Sequence, residues 1–226
     1  LYIYLNNYEE IPSFLKRKKV HCFLSNKHLG DLRDNGKFYV LSEKRELIKN
    51  AYIFTFDDDI YYPNNYTQKL VHYIDSFNRN VVVGLHGVIY PEERIGYVEK
   101  RHVIHFEKED NGYFVDSLGT GTTAFHSSLI DINLKEFKTT GICDLWFSTF
   151  CHKNAIPLLA IPRENQWLRA VNFDGPKLFT EAKLNTAKHD ELYHSYLYPI
   201  LKKEKPRIRA ETVSYTHLRA HETDSY

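Results

Sequence analysis

Methionine is absent from this chain of 226 residues, and its first residue is Leu1. The opening run Leu1-Tyr2-Ile3-Tyr4-Leu5 is apolar, so the text begins inside an expected buried strand and reads as an internal fragment. Cysteine is scarce: Cys22, Cys143 and Cys151 form an odd set without a C-x-x-C pair. That fits free thiols in a reducing compartment better than a disulfide framework. No apolar run approaches the roughly 18 residues that span a bilayer, and no secretory leader pattern is visible. An excess of one charge is missing too. The 30 Lys and Arg stand against 29 Asp and Glu, a net of +1, so no global field marks a nucleic-acid or membrane binder. One local run, Lys16-Arg17-Lys18-Lys19, is basic, and reads as a solvated helix face with a membrane or phosphate contact as its rarer use. Repeats and low-complexity stretches are also absent. What remains is 42% hydrophobic and 26% charged, an ordinary globular composition that supports a core of useful size.

The apolar runs alternate with turn signals. Leu1 to Leu5 and Val20 to Leu24 read as strands, separated by Asn6-Asn7 and by a helix-like segment opened by Pro12. Asn35-Gly36 marks a turn, and Ser42 is a candidate cap for a helix through Lys49. Tyr52 to Phe56 reads as a buried strand. After Pro63, the residues Tyr66, Leu70, Tyr73, Ile74 and Phe77 recur at helical spacing. Val81 to Tyr90 is a strand interrupted by Gly84 and Gly87. Arg94 to Phe106 and Tyr113 to Phe125 are expected to form a hairpin about Asp110-Asn111-Gly112. Ile142 to Lys153 reads as a helix, Ala155 to Ile161 as a strand and Asp190 to Ile200 as a helix. The alternation predicts an α/β domain with parallel strands, crossover helices and a mixed sheet.

Asp57-Asp58-Asp59 lies between the predicted strand and the helix after Pro63. Three adjacent carboxylates repel one another unless something positive sits there. If strand geometry persists, Asp57 and Asp59 point one way and Asp58 the other. Such a pair suits Mg²⁺ or Mn²⁺, which take oxygen ligands and share them with substrate phosphates. Open α/β sheets also bind ligands at the C-terminal ends of their strands. The plainer alternative is an acidic cap for the helix that follows. Haloacid-dehalogenase-type phosphatases place Thr or Val two residues after their second Asp; this chain has Tyr61 there, which counts against that class.

The stretch Tyr52-Ile53-Phe54-Thr55-Phe56-Asp57-Asp58-Asp59-Ile60-Tyr61-Tyr62-Pro63 resembles the strand, D-x-D cluster and helix entry of GT-A type, family-2-like bacterial glycosyltransferases. Asp116-Ser117-Leu118-Gly119-Thr120-Gly121-Thr122-Thr123-Ala124-Phe125-His126 resembles the segment before their acceptor site. Cys143-Asp144-Leu145-Trp146-Phe147-Ser148 resembles their acidic helix start, where Glu-Asp is frequent and this chain has Cys-Asp. Ile161-Pro162-Arg163-Glu164-Asn165-Gln166-Trp167-Leu168 is similar to the Gln-x-x-Arg-Trp element of processive synthases, with the order changed. The resemblance covers Leu1 to Leu168. It implies a GT-A, Rossmann-like mixed sheet flanked by helices over residues 1–205, with its first strand missing before Leu1.

The resemblance further implies transfer of a sugar from a nucleotide-sugar donor to a glycan or lipid-linked acceptor, with inversion, in bacterial cell-envelope polysaccharide synthesis. The setting would be cytoplasmic, at the inner face of the membrane with peripheral contact, and without nucleic acid. Asp57 and Asp59, mainly Asp59, would hold Mg²⁺ or Mn²⁺. Asp58 would orient the donor sugar, with Lys37, Gly119, Thr120 and Gly121 contacting donor diphosphate or sugar. Asp144 would be the general base, and Arg163 and Trp167 would belong to an acceptor site or lid. Plainer alternatives stand beside these: a surface turn for Lys37, a strand bend for the glycines and a helix cap for Asp144. Two other functions stay open, a sugar-nucleotide pyrophosphorylase and an inactive, truncated nucleotide-sugar-binding module. His102 and His105 are spaced to opposite faces of a strand, and are not expected to share a metal.

Residues 206–226 read as a tail. Within it, Val213 to Thr223 matches one translated frame of a sequencing adapter and is expected to be an artefact outside the fold.

Overall fold

A computed structural model of the chain describes residues 1–171 and 186–208. The adapter-like stretch from Val213 lies outside them. In chain order the elements are β1 (Tyr2–Leu5), β2 (His21–Leu24), α1 (Tyr39–Glu43), β3 (Tyr52–Phe54), β4 (Ile60–Tyr61), α2 (Tyr66–Ser76), β5 (Val82–Gly84) and β6 (Gly87–Ile89). There follow β7 (His102–Ile104), β8 (Tyr113–Phe114), β9 (Ser117–Leu118), β10 (Ala124–His126), α3 (Cys143–Lys153), β11 (Leu158–Ala160) and β12 (Arg169–Ala170). A helical run closes the described chain: α4 (Ala187–Leu192), a π-turn (Tyr193–Leu197) and α5 (Tyr198–Ile208).

The central sheet has five strands in the order β3-β10-β5-β11-β8. β5 and β11 are parallel, whereas β10 runs antiparallel to both β3 and β5, and β8 antiparallel to β11. The expected mixed α/β sheet is therefore present. β1 and β2 form a separate parallel pair, β7-β6-β9 an antiparallel trio, and β12 pairs with β4.

Strand alternation divides the core into two layers. Val82, Phe125, Leu158 and Ala160 pack on one face, with Leu145, Trp146, Phe147 and Cys151 of α3. Val83, Ala124 and Leu159 pack on the other, with Tyr66, Leu70, Tyr73 and Ile74 of α2. The helical spacing after Pro63 was thus a true guide to a buried stripe. So was the apolar run at 142–153, which forms α3.

Other expectations fail locally. Pro12 opens only a single 3₁₀ turn, Ser13–Leu15, because four adjacent cations repel along a helix and Lys19 adopts φ +68°. Ser42 does not cap a helix through Lys49; it lies inside α1, where its hydroxyl accepts the Leu134 N–H at 3.1 Å. The hairpin about Asp110-Asn111-Gly112 is absent. β7 pairs with β6 instead, and β8 pairs with β11. Glu109 already exchanges backbone hydrogen bonds with Arg163 at 2.9 and 2.8 Å, directing the chain onto β11. Val81 to Tyr90 is two strands in two sheets, broken at Leu85-His86 between the two glycines.

Candidate active site

Strand geometry stops at Phe54, and Asp58 and Asp59 occupy a turn before β4. The alternation that would have aimed Asp57 and Asp59 alike therefore does not apply. Asp57 is half-buried and Asp58 and Asp59 are exposed. Two contacts hold the turn. The Tyr62 hydroxyl accepts the Asp57 N–H at 2.8 Å and donates to the Gly121 carbonyl at 2.6 Å. The Asp59 carbonyl accepts the Val171 N–H at 2.7 Å, which ties the segment after Trp167 to the cluster.

Lys37 is not a simple surface residue. Its ammonium forms an ion pair with Asp57 Oδ1, and its side chain is only 21% exposed. It also lies 3.4 Å from Thr120 Oγ1. Burial works against its charge, yet the nearby Cys143, Asp57 and Asp144 hold its pKa above the ordinary lysine value. The chain itself thus supplies a positive partner for Asp57, the least exposed of the three adjacent carboxylates.

The bend after β9 brings the second carboxylate into the same place. Thr122 and Thr123 donate hydroxyl bonds to the Gly119 carbonyl at 3.3 and 2.9 Å, and Thr122 Oγ1 accepts the N–H groups of Leu85 and His86. This fixed bend turns Thr120 toward α3. Both its N–H, at 2.8 Å, and its Oγ1, at 2.6 Å, donate to Oδ1 of Asp144. Gly121 lies so close to Asp57 that an added Cβ would collide with the carboxylate.

Asp144 sits in the first turn of α3 but does not cap it. The cap is Asp34, whose two oxygens accept the N–H groups of Gly141 at 2.5 Å and Cys143 at 2.8 Å. Gly141 has φ +86° there, a conformation that costs glycine little. Asp144 is thereby free for other work. Its side chain is open to solvent, yet the protein around it is dense enough that burial raises its pKa, against the opposing pull of Lys37 and Thr120.

Asp34, Lys37, Asp57, Thr120, Gly121 and Asp144 therefore form one cluster at the ends of β3, β9 and α3. Neither Asp34 nor Tyr62 was assigned a site role from sequence, although Asp34 opens the Asp34-Asn35-Gly36-Lys37 element and Tyr62 directly precedes Pro63. Arg163 and Trp167 are placed elsewhere. Arg163 is 2% exposed and donates through Nη2 to the His105 carbonyl. Trp167 stacks on Tyr66 of α2 at 5.8 Å, under the Lys69 ammonium. Neither side chain faces Asp144 in any of these contacts.

Among the described residues, no group of three or more His, Cys, Asp and Glu side chains is placed to hold a metal ion. Cys22, Cys143 and Cys151 are free thiols. No described helix is long and apolar enough to cross a membrane. In comparisons with known proteins, no family model matches the chain, and no curated protein matches it.

Proposed function

We propose that the chain is a GT-A type glycosyltransferase domain that moves a sugar from a nucleotide-sugar donor to the hydroxyl of a glycan or lipid-linked acceptor, with inversion. One observation carries this reading. The Asp144 carboxylate and the Lys37–Asp57 ion pair are joined through Thr120, whose hydroxyl contacts both Lys37 and Asp144.

The chemistry follows from these contacts. Thr120 occupies Oδ1 of Asp144, which leaves Oδ2 to take the acceptor proton. Burial raises the Asp144 pKa above the ordinary carboxylate value, and a stronger base is a better proton acceptor. The acceptor oxygen bonds to the anomeric carbon as the bond to the nucleoside diphosphate breaks, which inverts that centre. Lys37 meets the phosphate charge, and Asp57 holds the Lys37 ammonium in place beside Thr120.

The acidic turn fits a hard cation through Asp59, with Asp58 beside it, since both offer exposed carboxylate oxygens. Asp57 contributes only in competition with Lys37. Mg²⁺ or Mn²⁺ held there would supply charge stabilisation for the leaving diphosphate. Such donors and their use fit a cytoplasmic setting in cell-envelope polysaccharide synthesis.

The test is turnover of a panel of nucleotide sugars with and without Mn²⁺. Asp144→Asn is expected to abolish transfer while retaining donor binding, and Asp59→Ala to remove the metal response. Full transfer by Asp144→Asn would remove the base from Asp144. An unchanged metal response in Asp59→Ala would remove the cation from the turn.

A further inference from the structure

The connection between β1 and β2 has no part in that chemistry. Residues 12–20 run as successive tight turns: Leu15 N–H to the Pro12 carbonyl at 3.0 Å, Lys16 to Ser13 at 3.1 Å, Arg17 to Leu15 at 2.8 Å and Val20 to Arg17 at 3.1 Å. The basic run is therefore not one side of a helix, where cations would spread around a cylinder. Lys16, Arg17, Lys18 and Lys19 are all exposed, and none is in an ion pair among the described residues. Phe14 precedes them with 64% of its surface exposed. An exposed aromatic ring beside four cations matches an anionic interface that is apolar just beneath.

The placement leaves the cluster around Asp144 free. Lys19 accepts the N–H of Leu1 at 2.7 Å, at the start of the parallel β1–β2 pair. Asp34 and Lys37 follow the opposite end of that pair, after β2. We propose that Phe14 and Lys16 to Lys19 dock the chain on an anionic lipid bilayer, the ring entering the interface and the cations meeting lipid phosphates. Sign complementarity selects the headgroups, and the ring is suited to the apolar layer beneath them. The inference stands independently of the transferase reading.

Sedimentation with phosphatidylcholine vesicles, with and without phosphatidylglycerol, tests it. The chain is expected to bind only the phosphatidylglycerol vesicles, and less as salt rises. Each cation near such a surface is worth about fivefold in binding, so Lys16→Glu with Lys18→Glu is expected to weaken it by well over tenfold. Phe14→Ser is expected to weaken it severalfold at unchanged charge. Both variants alter exposed side chains, and circular dichroism verifies their fold. No binding to phosphatidylglycerol vesicles overturns the proposal. So does binding that Phe14→Ser leaves intact while an RNA homopolymer competes it away, which would mark a polyanion site.

Discussion

Thr120 donates two hydrogen bonds to a single oxygen of Asp144, from its N–H at 2.8 Å and its hydroxyl at 2.6 Å. Both bonds favour the ionised carboxylate against the burial that raises its pKa. Thr120→Val removes the hydroxyl bond at nearly constant volume and is expected to raise that pKa further. Because the base acts when ionised, the rate falls as pH drops through its pKa. The acid limb of the kcat/KM profile should therefore move to higher pH. Thr120→Ser should restore the profile. An unmoved acid limb in Thr120→Val would show that the bond does not tune Asp144.

Gly121 is needed for space. Its φ is not in the left-handed region, but a Cβ there would meet the Asp57 carboxylate. Gly121→Ala is expected to push Asp57 off Lys37, at a cost of about 1–3 kcal/mol in stability and most of the activity. Denaturant midpoints and turnover measured together check this.

Asp34 holds the start of α3, and with it the position of Asp144. Asp34→Ala leaves the Gly141 and Cys143 N–H groups without this acceptor and should cost about 1–2 kcal/mol. Asp34→Asn should recover part of it, since an amide oxygen still accepts. Thermal unfolding of the two variants is the measurement. Equal melting temperatures for wild type and Asp34→Ala would deny Asp34 this role.

His86 makes the fold sensitive to acid. Burial first, then the charges of His105 and Arg163, lowers its pKa from 6.5 to about 3. The unfolded chain takes up a proton below about 6.5, while the native ring resists until about 3. Its contribution is thus fully favourable above that range and is lost as pH falls through it. His86→Phe keeps a ring against His105 and Phe106, which lie 4.2 and 4.7 Å from the histidine. That variant should lose less stability between about pH 6.5 and 4 than wild type in urea titrations.

Periodic segments were the most legible. The stripe Tyr66, Leu70, Tyr73 and Ile74 and the run of α3 carry their 3.6-residue pattern in the chain itself, and both are helices with those residues buried. Short β segments were less legible because pairing partners lie far away. Tyr113 and Phe114 have the composition of a hairpin strand, yet their partners are Leu159 and Ala160. The acidic cluster was visible as composition, but its geometry was not. Whether Asp57 and Asp59 point together depends on where the strand ends, and Thr123, bonded to Thr55, is the last partner that continues it.

The sequence by itself determined the two helices that sandwich the sheet, the mixed α/β class, the scarcity of thiols and the presence of Asp57 and Asp144 as candidates, because these rest on local residue type and spacing. Tertiary structure alone decided that Lys37 neutralises Asp57, that Asp34 and not Asp144 caps α3, and that Thr120 turns to Asp144. Those choices depend on contacts between residues 20 to 109 positions apart, such as Lys37 with Asp57 and Asp34 with Cys143. No local pattern encodes contacts of that range. Only the packed core brings those segments within hydrogen-bonding distance.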